Sequence, residues 1–367
     1  MGGDDLDVAR RLLPDLRLTL VAELGGGGRS SVRRVRAERR DGSSTSLIVK
    51  QFHSAGEGWV RECAALSAIP PGAPVPRLLA ESATPPVAVL ADLGGGACVA
   101  DALLGDDPDR AAAAVVGWAE AIAALHVASR GSRPAFAAAL QERAGDLPVA
   151  ESPMRAELDD AVRVLDRDCG SLGVAVPTGA FADLRGLADR LGDSGPAALT
   201  PADACPDNNV GVDGRLVLLD FEGAQWRNVA WDVAYLLVPW PSCWCCWRMP
   251  DDVIAGAVAA YRSSASRAMA EVGDARFERD VEAAALGWAL ISTTWFLDNA
   301  LGQDPVTNPD RPTPTRRAMI LHRLDRTAGS DEVPSLADLA GRLAAELRSR
   351  WGNVPLALAP AFDSGPR

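Results

Sequence analysis

Five charged or amide side chains and one run of glycines stand in an order that suits phosphate chemistry. The run is Leu24-Gly-Gly-Gly-Gly-Arg-Ser-Ser-Val, with Gly25, Gly27 and Ser30 as candidate phosphate contacts. A glycine-rich turn brings bare backbone N–H groups onto a phosphate, because no Cβ obstructs the approach. A flexible hairpin loop reads the same way, so the glycines alone decide nothing. Lys50 ends the apolar run Leu47-Ile-Val and is the single lysine: of 37 Lys+Arg residues, the other 36 are Arg. Where any positive charge would serve, this chain uses Arg. The lone ammonium therefore marks a place for a compact charge on a flexible stem rather than a planar fork. Glu62 follows twelve residues later in a segment with helical spacing, a partner able to hold that ammonium.

The second cluster is Leu199-Thr-Pro-Ala-Asp-Ala-Cys-Pro-Asp-Asn-Asn-Val, then Leu216-Val-Leu-Leu-Asp-Phe-Glu. Asp203 and Asn208 are five apart on one loop, and Asp220 follows Asp203 by 17 at a strand end. A loop and a strand end of this kind can give Asn208 and Asp220 as oxygen ligands to Mg2+, which takes a carboxylate or two plus substrate phosphates. Asp203 is then left to orient or accept the proton of an attacking hydroxyl. Asp- and Asn-rich turns are common, but that does not explain why a glycine turn, a lone lysine and this pair come in this order.

These residues need elements to hold them. Residues 18–24, 31–37 and 46–52 read as three strands of an antiparallel meander, with Asp41-Gly42 as a hairpin turn. Residues 58–69 have helical spacing, and 85–93 form a further strand running into Gly94-Gly-Gly, the expected domain boundary. Beyond it the spacing predicts helices near 110–130, 135–144, 153–168, 180–191, 251–272, 275–300 and 335–350, one strand at 214–220, and a Pro-rich loop at 304–315. The expected architecture is α+β: a small antiparallel β-rich nucleotide-binding lobe, residues 1–93, and a larger mostly helical lobe, residues 94–367, with the catalytic loop, metal site and acceptor pocket.

In this order the residues resemble the aminoglycoside phosphotransferase and choline kinase branch of the protein-kinase-like fold. Ala123-Ala-Leu-His126 is similar to the helix ending in Leu-His before that family's catalytic loop, and Ala230-Trp-Asp232-Val-Ala to its Trp-Asp-Leu-Ala helix start. The resemblance covers about residues 20–300 and is most specific at 200–235. It implies an ATP- and Mg2+-dependent kinase acting on a hydroxyl. Lys50 would contact the α/β-phosphates with Glu62 orienting it, and backbone near Ala91, Asp92 and Leu93 would receive the adenine. Asp203 would be the catalytic base, Asn208 and Asp220 would hold Mg2+, and Asp232 would be a buried support for the loop. The family's loop usually reads His-Gly-Asp-x-His-Pro-x-Asn; here it is Pro201-Ala-Asp203-Ala-Cys205-Pro-Asp-Asn208, with both histidines gone. The loop's support must therefore differ.

The stretch Pro239-Trp-Pro-Ser-Cys-Trp-Cys-Cys-Trp-Arg-Met-Pro250 has no counterpart in those motifs. Trp240, Trp244 and Trp247, with Glu222, are candidate substrate contacts, and buried packing is the alternative reading of the tryptophans. Cys243, Cys245 and Cys246 lack the usual spacing of a zinc site. Of the three histidines, His126 reads as a structural hydrogen-bonder beneath the loop, and no nucleophile triad is supported.

Composition narrows the partners. A net charge of −12 is the reverse of a nucleic-acid-binding footprint. The apolar runs read as too short or too broken to span a bilayer, and the acidic start does not read as a secretory signal, so the expectation is a cytoplasmic protein. Seven cysteines, an odd number, then fit reduced thiols better than a disulfide framework. The acceptor expected is a small molecule, an amino sugar or related metabolite. The alternatives are Ser/Thr of a peptide, which an aromatic groove at 240–247 would favour, and an inactive nucleotide-binding pseudokinase.

Overall fold

The computed structural model describes residues 5–25, 28–192, 195–304, 306, 308 and 313–363. Gly27, a candidate phosphate contact, lies outside them. The small lobe runs α1 (Asp5–Leu12), β1 (Arg17–Gly25), β2 (Ser30–Glu38), β3 (Ser44–Phe52), α2 (Glu57–Ala68), β4 (Leu78–Ala83) and β5 (Pro86–Ala91). Its sheet has the order β1-β2-β3-β5-β4 with every neighbouring pair antiparallel. Side chains alternate across a strand, and on β3 this alternation decides where the lysine goes. Leu47 and Val49 pack with Val35, Val87, Val89 and the Leu6, Val8 and Ala9 side chains of α1. Ile48, Lys50 and Phe52 therefore face the other way, toward α2 and the larger lobe. The sequence reading missed α1 and β4; most residues of β4 are only half-buried, so the strand shows no apolar alternation.

The large lobe contains α3 (Val99–Leu103), α4 (Pro108–Ser129), α5 (Arg133–Ala144), α6 (Met154–Leu172), α7 (Ala180–Arg190), α8 (Ala230–Val233), α9 (Asp251–Ala265), α10 (Ala275–Gly302), α11 (Arg316–Thr327) and α12 (Pro334–Trp351). Two short antiparallel pairs lie among them: β6 (Ala197–Thr200) with β9 (Gln225–Asn228), and β7 (Asn209–Val212) with β8 (Arg215–Leu218). The helix expected over 251–272 stops at Ala265, because Arg262 donates to the Val272 and Gly273 carbonyls at 3.1 and 2.7 Å and folds the chain back on its own last turn. Helix α11 was not expected; Thr315 caps it by accepting from the Ala318 N–H. Among the described residues one helix, α4, is long and apolar enough to cross a membrane, and half of that window is buried. Its Trp118, Ile122, Leu125 and His126 belong to the lobe's core.

The core continues between the lobes: Trp59, Val60 and Leu66 of α2 join the same cluster as Phe136 and Leu140 of α5. The glycine-rich connection is pinned as well. Gly211 on β7 donates to the Ala97 carbonyl at 3.1 Å, and a Cβ on Gly96 would collide with the Gly211 carbonyl.

Candidate active site

Lys50 lies opposite Val32 and Ala88 in the sheet and reaches across the lobe boundary. Its Nζ donates to Glu62 Oε2 at 2.5 Å and to Asp220 Oδ1 at 2.7 Å, and Glu222 Oε2 is 4.0 Å away. Burial works against the ammonium, but Glu62 and Asp220 outweigh it and hold the Lys50 pKa above the ordinary lysine value. Burial pushes the Glu62 carboxyl up to about 7, against the pull of Lys50.

A cleft of about 530 Å³ opens between the lobes beside this group. Val32, Ile48 and Leu90 line it from the sheet, and Val210 and Leu219 from β7 and the end of β8. Gly25, Ser30, Lys50, Glu62, Asp92, Leu93, Asn208 and Asp220 all border it. Two apolar walls with cationic and carboxylate groups at one end suit a flat base and a phosphate chain. The Asp92 carboxylate does not face a ligand: Arg34 grips it at 2.7 and 3.1 Å, and it accepts from the Gly94 N–H. The Ala91 N–H is donated to the Arg77 carbonyl, so that donor is taken. Base contacts from this segment would fall to the backbone of Asp92 and Leu93.

The donor set fits Mg2+. Asn208 turns its Nδ2 to the Asp203 carbonyl at 2.8 Å, which directs its Oδ1 away from that backbone. Asp220 has φ +61°, a left-handed conformation, and leaves a third of its side chain exposed. Leu219 donates to the Asn208 carbonyl at 2.9 Å, which fixes the two candidate ligands relative to each other. Hard oxygen donors of this kind, one amide and one carboxylate, leave the remaining positions of an octahedron to water and phosphate.

Asp203 borders a second cleft of about 560 Å³, shared with Arg29, Glu57, Arg61, Glu157 and Glu222. Burial raises the Asp203 pKa and the negative charge of Asp220 adds to that, while a hydrogen bond from Ser242 opposes it. Glu222 pairs with Arg29 at 2.6 Å, and its pKa is raised by burial and by Asp220. Ala202, just before Asp203, has φ +62°, and its carbonyl is held by the Tyr235 hydroxyl at 2.7 Å and by Arg227 at 3.4 Å. Held strain beside reactive groups is what functional loops commonly show. Asp232 is fully buried, ion-paired with Arg227 and 3.0 Å from His126, whose other ring nitrogen meets the Tyr261 hydroxyl at 2.8 Å. Burial would raise the Asp232 pKa, but Arg227 and His126 keep it below the usual carboxylate value.

Two expectations are corrected here. Trp240 and Trp247 are core residues, 0% and 2% exposed, and border neither cleft. Trp240 meets Trp118 edge to face at 5.9 Å. Trp244 is partly exposed and donates to Asp207 at 2.6 Å. The cysteines are not all thiols: Cys205 and Cys243 form a disulfide. Tertiary contact sets this pair, and neither the cysteine count nor the spacing reveals it. Among the described residues, Cys243 is common to both groups that could otherwise gather a metal, Asp203–Cys205–Cys243 and Asp207–Cys243–Cys245. The disulfide therefore removes the thiolate either would need. Sequence reasoning also missed Arg227, Tyr235 and Ser242, which touch the Asp203 loop from 24 to 39 residues away; only Tyr235, beside the Trp-Asp motif, carried any signal.

A five-stranded antiparallel lobe over a helical one, with a lysine–glutamate pair above and a loop carboxylate below, defines a protein-kinase-like fold. The chain belongs to the phosphotransferase enzyme family, whose family model matches residues 21–272, and it is a phosphotransferase. Similar solved structures share the fold. An ethanolamine kinase of Plasmodium vivax is 11% identical with a TM-score of 0.50, covering 94% of this chain and 88% of its own. A choline kinase of Cryptosporidium parvum is 10% identical with a TM-score of 0.50, covering 94% and 98%. No curated protein matches.

Proposed function

We propose that this phosphotransferase moves the γ-phosphoryl group of ATP, with Mg2+, to a hydroxyl of a cationic small molecule such as an amino sugar. The observation that carries this is the junction of the two clefts. Lys50 and Asp220 border the first, Asp203 and Glu222 the second, and Glu222 stands 4.0 Å from Lys50. Lys50, fixed by Glu62, presents one ammonium to the phosphates. Asn208 and Asp220 would hold Mg2+, which when bound offsets phosphate charge and orients the γ-group. Asp203 receives the hydroxyl proton. Its Oδ1 accepts from Ser242 at 2.6 Å, leaving Oδ2 for that proton. Catalysis then rests on positioning and charge neutralisation rather than on a covalent intermediate.

The acceptor's charge follows from the second cleft, where Glu57, Glu157, Asp203 and Glu222 outnumber Arg29 and Arg61. A cation is favoured there. With Trp240 and Trp247 buried, the aromatic groove that a peptide acceptor would use is not formed.

The test is nucleotide binding, which needs no acceptor. Thermal shift or calorimetry with Mg2+ and ATP should show stabilisation that weakens in Lys50→Ala and Asp220→Asn. Asp203→Asn should still bind nucleotide yet lose about 10²- to 10⁴-fold in turnover. Wild-type protein that binds no nucleotide at millimolar concentration would sink the reading.

A further inference from the structure

Three consecutive residues of the segment between α8 and α9 meet alternate residues of the Asp203 loop. Ser242 Oγ donates to Asp203 Oδ1 at 2.6 Å. Cys243 is bonded to Cys205, with Cα atoms 5.9 Å apart. Trp244 Nε1 donates to Asp207 Oδ2 at 2.6 Å. The intervening backbone is held from elsewhere: the Ala204 carbonyl accepts from Trp118 Nε1 at 2.9 Å, and the Ala202 carbonyl from Tyr235. Side chains 203, 205 and 207 thus belong to the 242–244 segment, and carbonyls 202 and 204 to the core. The segment itself is rooted. Arg323 on α11, 1% exposed, donates to the Pro239 and Trp240 carbonyls at 3.0 and 3.2 Å.

We propose that residues 242–244 are a clasp that positions Asp203, with Ser242 as the positioning residue and the Cys205–Cys243 disulfide as its lock. It rests on the reading of Asp203 as proton acceptor. A hydroxyl on Oδ1 fixes the carboxylate plane, so Oδ2 is presented to the acceptor at one angle. The disulfide holds the hydroxyl there by tying the chain close to both partners, Cys205 two residues after Asp203 and Cys243 directly after Ser242. Unlocking requires a reductant. When a dithiol exchanges with the bond, its two sulfurs become a disulfide and its two protons end on Cys205 and Cys243 as thiols.

The experiment uses the full chain purified without reductant. Alkylation and peptide mass mapping should find the 205–243 bond and five alkylatable cysteines. Hydrogen exchange of peptides spanning 201–208 should quicken in Ser242→Ala and after dithiothreitol treatment. Turnover, followed as phosphate release from Mg2+ and ATP with water as acceptor, should fall about 10- to 100-fold in Ser242→Ala. Nucleotide affinity should hold within about twofold, and Ser242→Thr should restore most of the rate, as expected of a group that acts only through Asp203. Unchanged exchange and rate in Ser242→Ala, or seven free thiols in the untreated protein, would overturn the clasp. An inactive Asp203→Asn beside an unaffected Ser242→Ala would remove the clasp alone, whereas a fully active Asp203→Asn would remove the reading of Asp203 beneath it.

Discussion

The two clefts are held together by different physics. On the first, Lys50 of β3, Glu62 of α2 and Asp220 just past β8 are joined by charge-assisted contacts, 2.5 Å to Glu62 within the small lobe and 2.7 Å to Asp220 across the lobe boundary. On the second, the Asp203 loop is fastened by one neighbouring segment through a hydroxyl on Asp203, a disulfide on Cys205 and an indole on Asp207. The first arrangement depends on protonation state. The second depends on covalent and packing contacts and keeps one carboxylate in one place. A kinase needs both, because phosphates arrive as a flexible charged chain while the hydroxyl must be met at a fixed angle.

The contrast can be broken at three points. The largest effect is expected at the root of the clasp. Trp240→Ala removes a fully buried indole packed on Trp118 and should cost about 3–5 kcal/mol in urea unfolding. An unaltered midpoint would mean that the tryptophan is not core. Next, Cys205→Ser with Cys243→Ser opens a 38-residue cross-link and should cost about 2–4 kcal/mol. Nucleotide affinity should stay put, and its loss would show that the two clefts are not separately held.

The smallest effect is a pH dependence on the first cleft. Glu62 titrates near 7 in the fold against 4.5 for an ordinary glutamate. A raised pKa means its contribution to stability is complete below about pH 4.5 and is lost as the pH rises through about 7. Glu62→Gln has no such proton to lose. The melting-temperature difference, wild type minus Glu62→Gln, should therefore fall between pH 5 and pH 8 by an amount equivalent to roughly 1–3 kcal/mol. A pH-independent difference would show that the pair behaves as an ordinary ion pair.

What was readable in the sequence follows the same divide. Lys50 stood out because it is the only lysine, and Glu62, Asp203, Asn208 and Asp220 because their order is uncommon; the structure brings Lys50, Glu62 and Asp220 into contact. Strand β2 showed a period-two pattern, β1 and β3 their apolar runs, and the long Ala-rich helices their composition. Strands β6, β7 and β9, four residues each, are too short to carry a period. The clasp was invisible for another reason. Its contacts join residues 37 to 39 apart in the chain, and Ser242 is one small polar residue in a stretch dominated by Trp and Cys. Aromatic content says that something large packs there, but not whether it faces a ligand or the core.

The neighbouring glycines at the lobe boundary are unequal. A side chain on Gly95 would meet nothing within 4 Å, while one on Gly96 would strike the Gly211 backbone. A run that looks like slack therefore contains one tolerant position and one that admits no exchange. A side chain at Gly95 is free of the large lobe, whereas one at Gly96 must be matched by a shift of the β7–β8 hairpin, which Asn208 and Asp220 flank.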